Sequence, residues 1–126
     1  LFNYSQIYGV IASVEITSKD YKVWYDGENA TVFLKGFLRL DGIEEYKPIM
    51  NLLTDAIGQV ASLTIDLKEL EFLNSSGISM LSMFVVEVRN RGSIEITLQG
   101  SNKVLWQTKS LRNLQRLMPN MKLEFI

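Results

Sequence analysis

Along most of this chain, apolar residues either alternate with polar ones or recur every three or four positions. Tyr21 to Tyr25 is aromatic and β-branched, the composition of a strand, and Asp26-Gly27-Glu28-Asn29 is turn chemistry. The chain returns from Thr31 to Leu40 with Val32, Leu34, Gly36, Leu38 and Leu40 on one face. Phe33, Lys35, Phe37 and Arg39 take the other, so the pattern predicts a hairpin. Asp41-Gly42 ends it, and a helix is predicted from about Glu44 to Ile57. Its buried stripe is Tyr46, Met50, Leu53 and Ile57, with Ile49 and Leu52 alongside and Pro48 placed in the first turn, where a missing N–H is tolerated. Leu63 to Leu67 is a short apolar run carrying Asp66, the pattern of a buried strand. Asn74, Ser75, Ser76 and Gly77 then precede a helix from Ser76 to about Arg89. There Ile78, Leu81, Val85 and Val88 fall at helical spacing, and Met80, Met83 and Phe84 widen the stripe. Ile94 to Leu98 reads as a strand. Asn102 is a candidate cap for a third helix, in one or two pieces through Met118, with Val104, Leu105, Leu111, Leu114 and Leu117 as its apolar positions. Met121 to Ile126 is a final short strand.

The predicted order over the confident part is β-β-α-β-α-β-α-β. Strands alternating with amphipathic helices imply right-handed crossovers and a partly parallel sheet, and the opening hairpin adds an antiparallel pair. The reading is one α/β domain over residues 1–126 with a mixed β-sheet and three to four helices. Its core lies at about 21–126, and residues 1–20 form an extension. Within that extension Val14 to Thr17 could form an edge strand, and Gly9 weakens a helical alternative for residues 4–14.

Composition removes more functions than it suggests. The chain has 126 residues, no cysteine, no histidine and a formal net charge of −1. Thiolate chemistry, disulfides, histidine general-base catalysis and the usual zinc sites are excluded. Nothing resembles the basic footprint of a nucleic-acid binder, and no apolar stretch reaches the roughly 18 residues of a membrane span. No Gly-rich phosphate loop is present. Glu44 with Glu45, and Glu69 with Glu71, read more simply as solvated carboxylates than as an acid–base pair. Ser75 has neither a G-x-S-x-G setting nor a histidine base. A non-enzymatic cytoplasmic protein without a cofactor or metal is expected.

The two serines before the long helix admit two readings. Asn74 or Ser75 could simply cap the helix, a contribution of about 1 kcal/mol. Alternatively Ser75 is a phosphorylation site, with the phosphate held at the positive end of the helix. Periodicity does not choose between them.

The segment Ile65 to Leu81, IDLKELEFLNSSGISML, resembles the signature of STAS domains, the anti-sigma factor antagonist family. Asp66-Leu67, Leu70, Phe72-Leu73 and Ser75-Ser76-Gly77-Ile78 match that signature in order and spacing. Upstream, Leu34-Lys35-Gly36-Phe37-Leu38 looks like the family's Gly-x-Leu strand end, and the resemblance covers about residues 21–126. It implies a STAS-like fold, with helices mainly on one side of the sheet. It further implies a partner-switching protein phosphorylated at Ser75, with Ser76 the second choice. The implied partners are an anti-sigma-factor-like serine kinase, bound when Ser75 is unmodified, and a metal-dependent serine phosphatase. Asn74, Ser75, Ser76, Gly77, Met80 and Arg39 would form the partner-binding surface. Asn74 stands where the family usually has Asp, and Arg39 where many members carry an acid. Both remove negative charge, and a nearby Arg favours a phosphoserine.

Phe84 is expected in the core, and the exposure of Met80 and Met83 is left open. Homodimerisation is left open too. The competing reading is a STAS module that senses a ligand or serves as a signalling-scaffold subunit without phosphorylation.

Overall fold

The structure, a computed structural model, describes residues 13–126. Six strands form one sheet in sequence order. Strand β1 (Ser13–Thr17) pairs antiparallel with β2 (Tyr21–Asp26), and β2 pairs antiparallel with β3 (Thr31–Leu38). From β3 onward every pairing is parallel: β3 with β4 (Ser62–Leu73), β4 with β5 (Glu95–Gly100), and β5 with β6 (Lys122–Phe125). Three helices make the crossovers: α1 (Gly42–Ile57), α2 (Ser75–Arg91) and α3 (Leu105–Leu117). Because the crossovers all advance in one direction with the same hand, the helices share one face of the sheet. The edge strand expected within the first 20 residues is present as β1. The helical alternative for residues 4–14 falls mostly outside the described residues.

The core lies between sheet and helices. Val23, Tyr25, Val32, Leu34, Leu38, Leu63, Ile65, Leu67, Ile96 and Leu98 supply the sheet side. Tyr46, Ile49, Leu53, Leu81, Phe84, Val85, Val88 and Leu111 supply the helix side, with Phe84 in the core as expected. The alternation read along Thr31–Leu40 holds, with Val32, Leu34 and Leu38 inside. On the other face the register aligns Glu15, Trp24, Phe33, Asp66, Gln99 and Glu124 in one row. Trp24 and Phe33 stack there with centroids 4.8 Å apart, a cross-strand aromatic pair.

Three elements differ from the periodicity reading. Strand β4 is 12 residues long rather than five. Two register shifts against β3, one between Phe33 and Lys35 and one between Gly36 and Phe37, each place an extra residue in β4. Its buried positions therefore run Leu63, Ile65, Leu67, Leu70, Leu73, and the strict alternation that marks a strand is lost. Helix α1 starts at Gly42, so Pro48 lies in its second turn and removes one i→i−4 bond; the Glu44 carbonyl it leaves belongs to an exposed residue. Helix α3 is a single piece starting at Leu105, without a side-chain cap. Asn102 is not its N-cap, and Leu105, expected inside, is 96% exposed.

Candidate functional site

Parallel strands end on one rim, and the helices that follow them begin there. The C-terminal rim of β3, β4, β5 and β6 therefore carries the starts of α1, α2 and α3. The turn joining β1 to β2 falls on the same rim, because β2 runs antiparallel to β3; the Phe37 N–H donates to the Asp20 carbonyl at 2.8 Å.

Asn74 holds the centre of this rim. Its backbone is extended, and its Oδ1 accepts from the Gly77 N–H at 3.1 Å, so it is the N-cap of α2. The same Oδ1 accepts from the Tyr46 hydroxyl at 2.6 Å, while Nδ2 donates to the Leu40 carbonyl at 2.8 Å. Its backbone N–H reaches the Leu38 carbonyl at 3.1 Å. One residue thus ties the end of β3, the first helix and the start of α2 together. Burial raises the pKa of Tyr46 above the usual phenol value, against a smaller lowering by the Leu40 N–H, so the hydroxyl remains a donor. Gly77 is buried beneath the cap, where a Cβ would meet the side chains of Leu73 and Tyr46.

This network gives Asn74 a role that Asp cannot copy. Asp caps helices equally well, and the helix dipole favours its charge. A carboxylate, however, turns an oxygen toward the Leu40 carbonyl where Nδ2 now donates. Asn74→Asp is therefore expected to lower stability at pH 7 by about 1–2 kcal/mol, with part of the loss regained as the carboxyl protonates in acid. Urea unfolding at pH 7 and pH 4 checks this.

Ser75 is the first residue of α2 and is exposed; Ser76 is half-buried. Among the described residues the Ser75 hydroxyl makes no hydrogen bond, and its position in the first turn leaves the N–H groups of Ser75 and Ser76 without an intrahelical acceptor. The first turn of α2 contains no acidic residue. Ser75, Ser79 and Met83 are exposed at i, i+4 and i+8, so they line one face of α2. Met80 is only 1% exposed while Met83 is 50% exposed. Met80, which the resemblance places in the partner-binding surface, packs inside, and Met83 is the exposed methionine of α2.

Arg39, just beyond β3, projects on the sheet face away from the helices. Its guanidinium carbon lies 5.4 Å from the Phe37 ring centroid and 5.1 Å from that of Phe72. Phe37 and Phe72 are cross-strand partners and each is 41% exposed. The exposed large apolar side chains among the described residues are Phe37, Ile43, Phe72, Met83, Leu105 and Ile126. All but Met83 stand on this rim by topology, and Met83 lies two turns along α2 from Ser75. Periodicity alone missed Tyr46 as a polar anchor, Phe37 and Phe72 as an exposed pair, and Leu105. A tyrosine on a buried helix stripe is itself a signal, since its hydroxyl needs a partner.

No group of three metal-ligating side chains occurs among the described residues, and no helix there is long and apolar enough to cross a membrane. Every buried side-chain nitrogen or oxygen among them has a hydrogen-bond partner.

Comparison by sequence returns no matching family model and no matching curated protein. Comparison by structure returns SiaC of Pseudomonas aeruginosa, 13% identical over 91% of this chain and 96% of that one, with a TM-score of 0.65. The same fold is matched in the apo-SiaC crystal structure at 11% identity, 91% and 98% coverage and a TM-score of 0.68. It is matched again in the crystal structure of the diguanylate cyclase SiaD in complex with its activator SiaC, at 12% identity, 89% and 97% coverage and a TM-score of 0.67. The fold of this chain is STAS-like, a mixed sheet with an N-terminal antiparallel hairpin and three helices on one side.

Proposed function

We propose that this chain is a protein-binding signalling module that regulates a partner enzyme by docking the rim around Ser75 onto it. The observation that carries the reading is the concentration of exposed apolar side chains on the rim where Ser75 begins α2. Isolated surface apolar residues need no explanation, but a group of them on one rim, interleaved with polar residues, is the composition of a protein interface. The structural neighbour SiaC is described as the activator of a diguanylate cyclase and is seen in complex with it. That supports a signalling enzyme as the class of partner here. The reading assigns no catalytic role to the chain and places it in the cytoplasm.

Phosphorylation of Ser75 is the control we propose for this docking. Support comes from the exposed hydroxyl, the first-turn N–H groups that would receive an anion, and the Ser-Ser-Gly motif. A phosphate would add close to two negative charges at the centre of the rim and end its apolar contact. The motif favours an anti-sigma-factor-like serine kinase as the modifying enzyme and a metal-dependent serine phosphatase as its counterpart. The same motif supports a second reading, in which that kinase is itself the docking partner.

Incubation with the cognate serine kinase and ATP, followed by intact-mass spectrometry, is expected to show one added phosphate on the wild-type chain and none on Ser75→Ala. Unchanged incorporation in Ser75→Ala would reject the site. Ser75→Asp is expected to weaken partner binding about tenfold or more, a loss of roughly 1.4 kcal/mol, read by calorimetric titration. Ser75→Ala should bind as wild type does.

A further inference from the structure

We infer that Phe37, Arg39 and Phe72 form a platform that receives a carboxylate side chain of a partner protein, flanked on that partner by apolar residues. The inference rests on the docking reading above and adds the chemistry that the partner must present.

The Arg39 guanidinium carbon lies over two rings, 5.4 Å from the Phe37 centroid and 5.1 Å from that of Phe72, and the β3–β4 register fixes where those rings stand. A cation–π contact of this kind is electrostatic and leaves N–H donors of the guanidinium for other partners. Those donors make no hydrogen bond among the described residues, and no carboxylate there lies within 4 Å of them. Three lysines of this sheet face are paired: Lys22 with Glu15 at 2.9 Å, Lys35 with Glu69 at 3.8 Å, and Lys68 with Asp66 at 3.4 Å. Arg39 and Lys122 on β6 are not, and of these two Arg39 is the one that lies over aromatic rings. It is also the cation set between two exposed apolar rings, where partial exclusion of water by a docked partner would strengthen an ion pair. Because the rings already orient the guanidinium, less side-chain freedom is lost when the pair forms.

A carboxylate fits this setting better than a phosphate. The platform offers one cation, and the adjoining hollow of about 370 Å³ is lined by Asp20, Tyr21, Phe37, Arg39 and Leu40. Asp20 on that wall opposes a multiply charged anion more strongly than a singly charged one, and no lysine lines the hollow to offset it. A single negative charge with apolar neighbours matches one guanidinium on two phenylalanines, with the fork geometry of a bidentate pair.

Selection of a phage-displayed random peptide library on the immobilised wild-type chain tests this. The expected winners carry Asp or Glu beside Leu, Ile or Phe. As synthetic fluorescent peptides they should bind Arg39→Ala and Phe72→Ala at least about tenfold more weakly, and Arg39→Lys with an intermediate loss. Replacing the peptide carboxylate by its amide should cost the same factor in wild type and almost nothing in Arg39→Ala, the mark of a direct pair. Inorganic phosphate and GTP should not displace the peptide. Failure to enrich acidic peptides, equal binding to a folded Arg39→Ala chain, or displacement by phosphate or GTP would each overturn the inference. Ser75→Asp separates this inference from the docking reading. Peptide binding that persists in that variant, beside unchanged binding of the partner enzyme, would sink Ser75 control and leave the platform standing.

Discussion

Gln107→Met is expected to melt on the order of 10 °C below the wild-type chain, although the two side chains are nearly equal in length. Gln107 is fully buried in the first turn of α3. Strand β4 outruns β5, whose last pairing with it is Asp66 with Gln99, so the carbonyls of Leu67 and Leu70 lie beyond the ladder. The Gln107 amide donates to both, and Trp106 Nε1 adds a second bond to Leu70 at 3.1 Å. Its Oε1 accepts from the Ser101 N–H at 2.7 Å. Methionine fills the space but strands the Ser101 N–H and the Leu67 carbonyl, at about 1–3 kcal/mol each. The sum is a large fraction of the stability of a domain this size. Gln107→Glu gives a signed control. Its carboxylate would face two carbonyls, so its folded pKa is raised above the unfolded value of about 4.3. The penalty is then absent below that unfolded value and grows as pH rises through it. Denaturant unfolding from pH 4 to pH 7 should therefore show Gln107→Glu losing stability relative to wild type as pH rises, while the Gln107→Met deficit stays constant.

Gln107 also shows where reading from sequence runs out. The hairpin, the outward and inward faces of β3, and the polar start of α2 follow from local periodicity and turn chemistry, and the structure places them accordingly. Long-range satisfaction of backbone groups leaves no such trace. A glutamine in a helix is ordinary, and only the overhang of β4 makes it necessary. That overhang is hidden in turn by two bulges, which change the spacing of buried residues from two to three after Leu67. The bulges also bring Phe72 opposite Phe37, so the ring pair beneath Arg39 could not be read from either strand alone. Met80 and Met83 differ by three positions on a stripe that helical spacing treats as continuous. The packing of α2 between its neighbours decides which one reaches the surface. The capped start of α2 is legible because its chemistry is local. Its surroundings on the rim are not, because four strand ends and three helix starts assemble them.

Gly36→Ala is expected to cost at least about 3 kcal/mol, combining backbone strain with overpacking, and to disturb the rim beyond the site of substitution. Gly36 has φ +95°, and a Cβ there would lie 2.3 Å from the Asp20 carbonyl oxygen and 3.0 Å from the Tyr21 Cα. Both are backbone atoms, so neither can turn aside as a side-chain tip could. Gly42 separates the two contributions. It has φ +79° but nothing within 4 Å of its Cβ position, so Gly42→Ala should carry conformational strain alone, about 1–2 kcal/mol. The difference between the two variants in urea unfolding then measures the clash with the β1–β2 turn. Equal losses would mean that the turn yields freely. The functional consequence follows from the same contact. The Asp20 carbonyl accepts from the Phe37 N–H, and Asp20 and Tyr21 form a wall of the hollow beside Arg39. A displaced turn moves Phe37 and opens that wall. Gly36→Ala should therefore lose affinity for acidic peptides at a temperature where circular dichroism shows it still folded, whereas Gly42→Ala, with no such contact, should keep it.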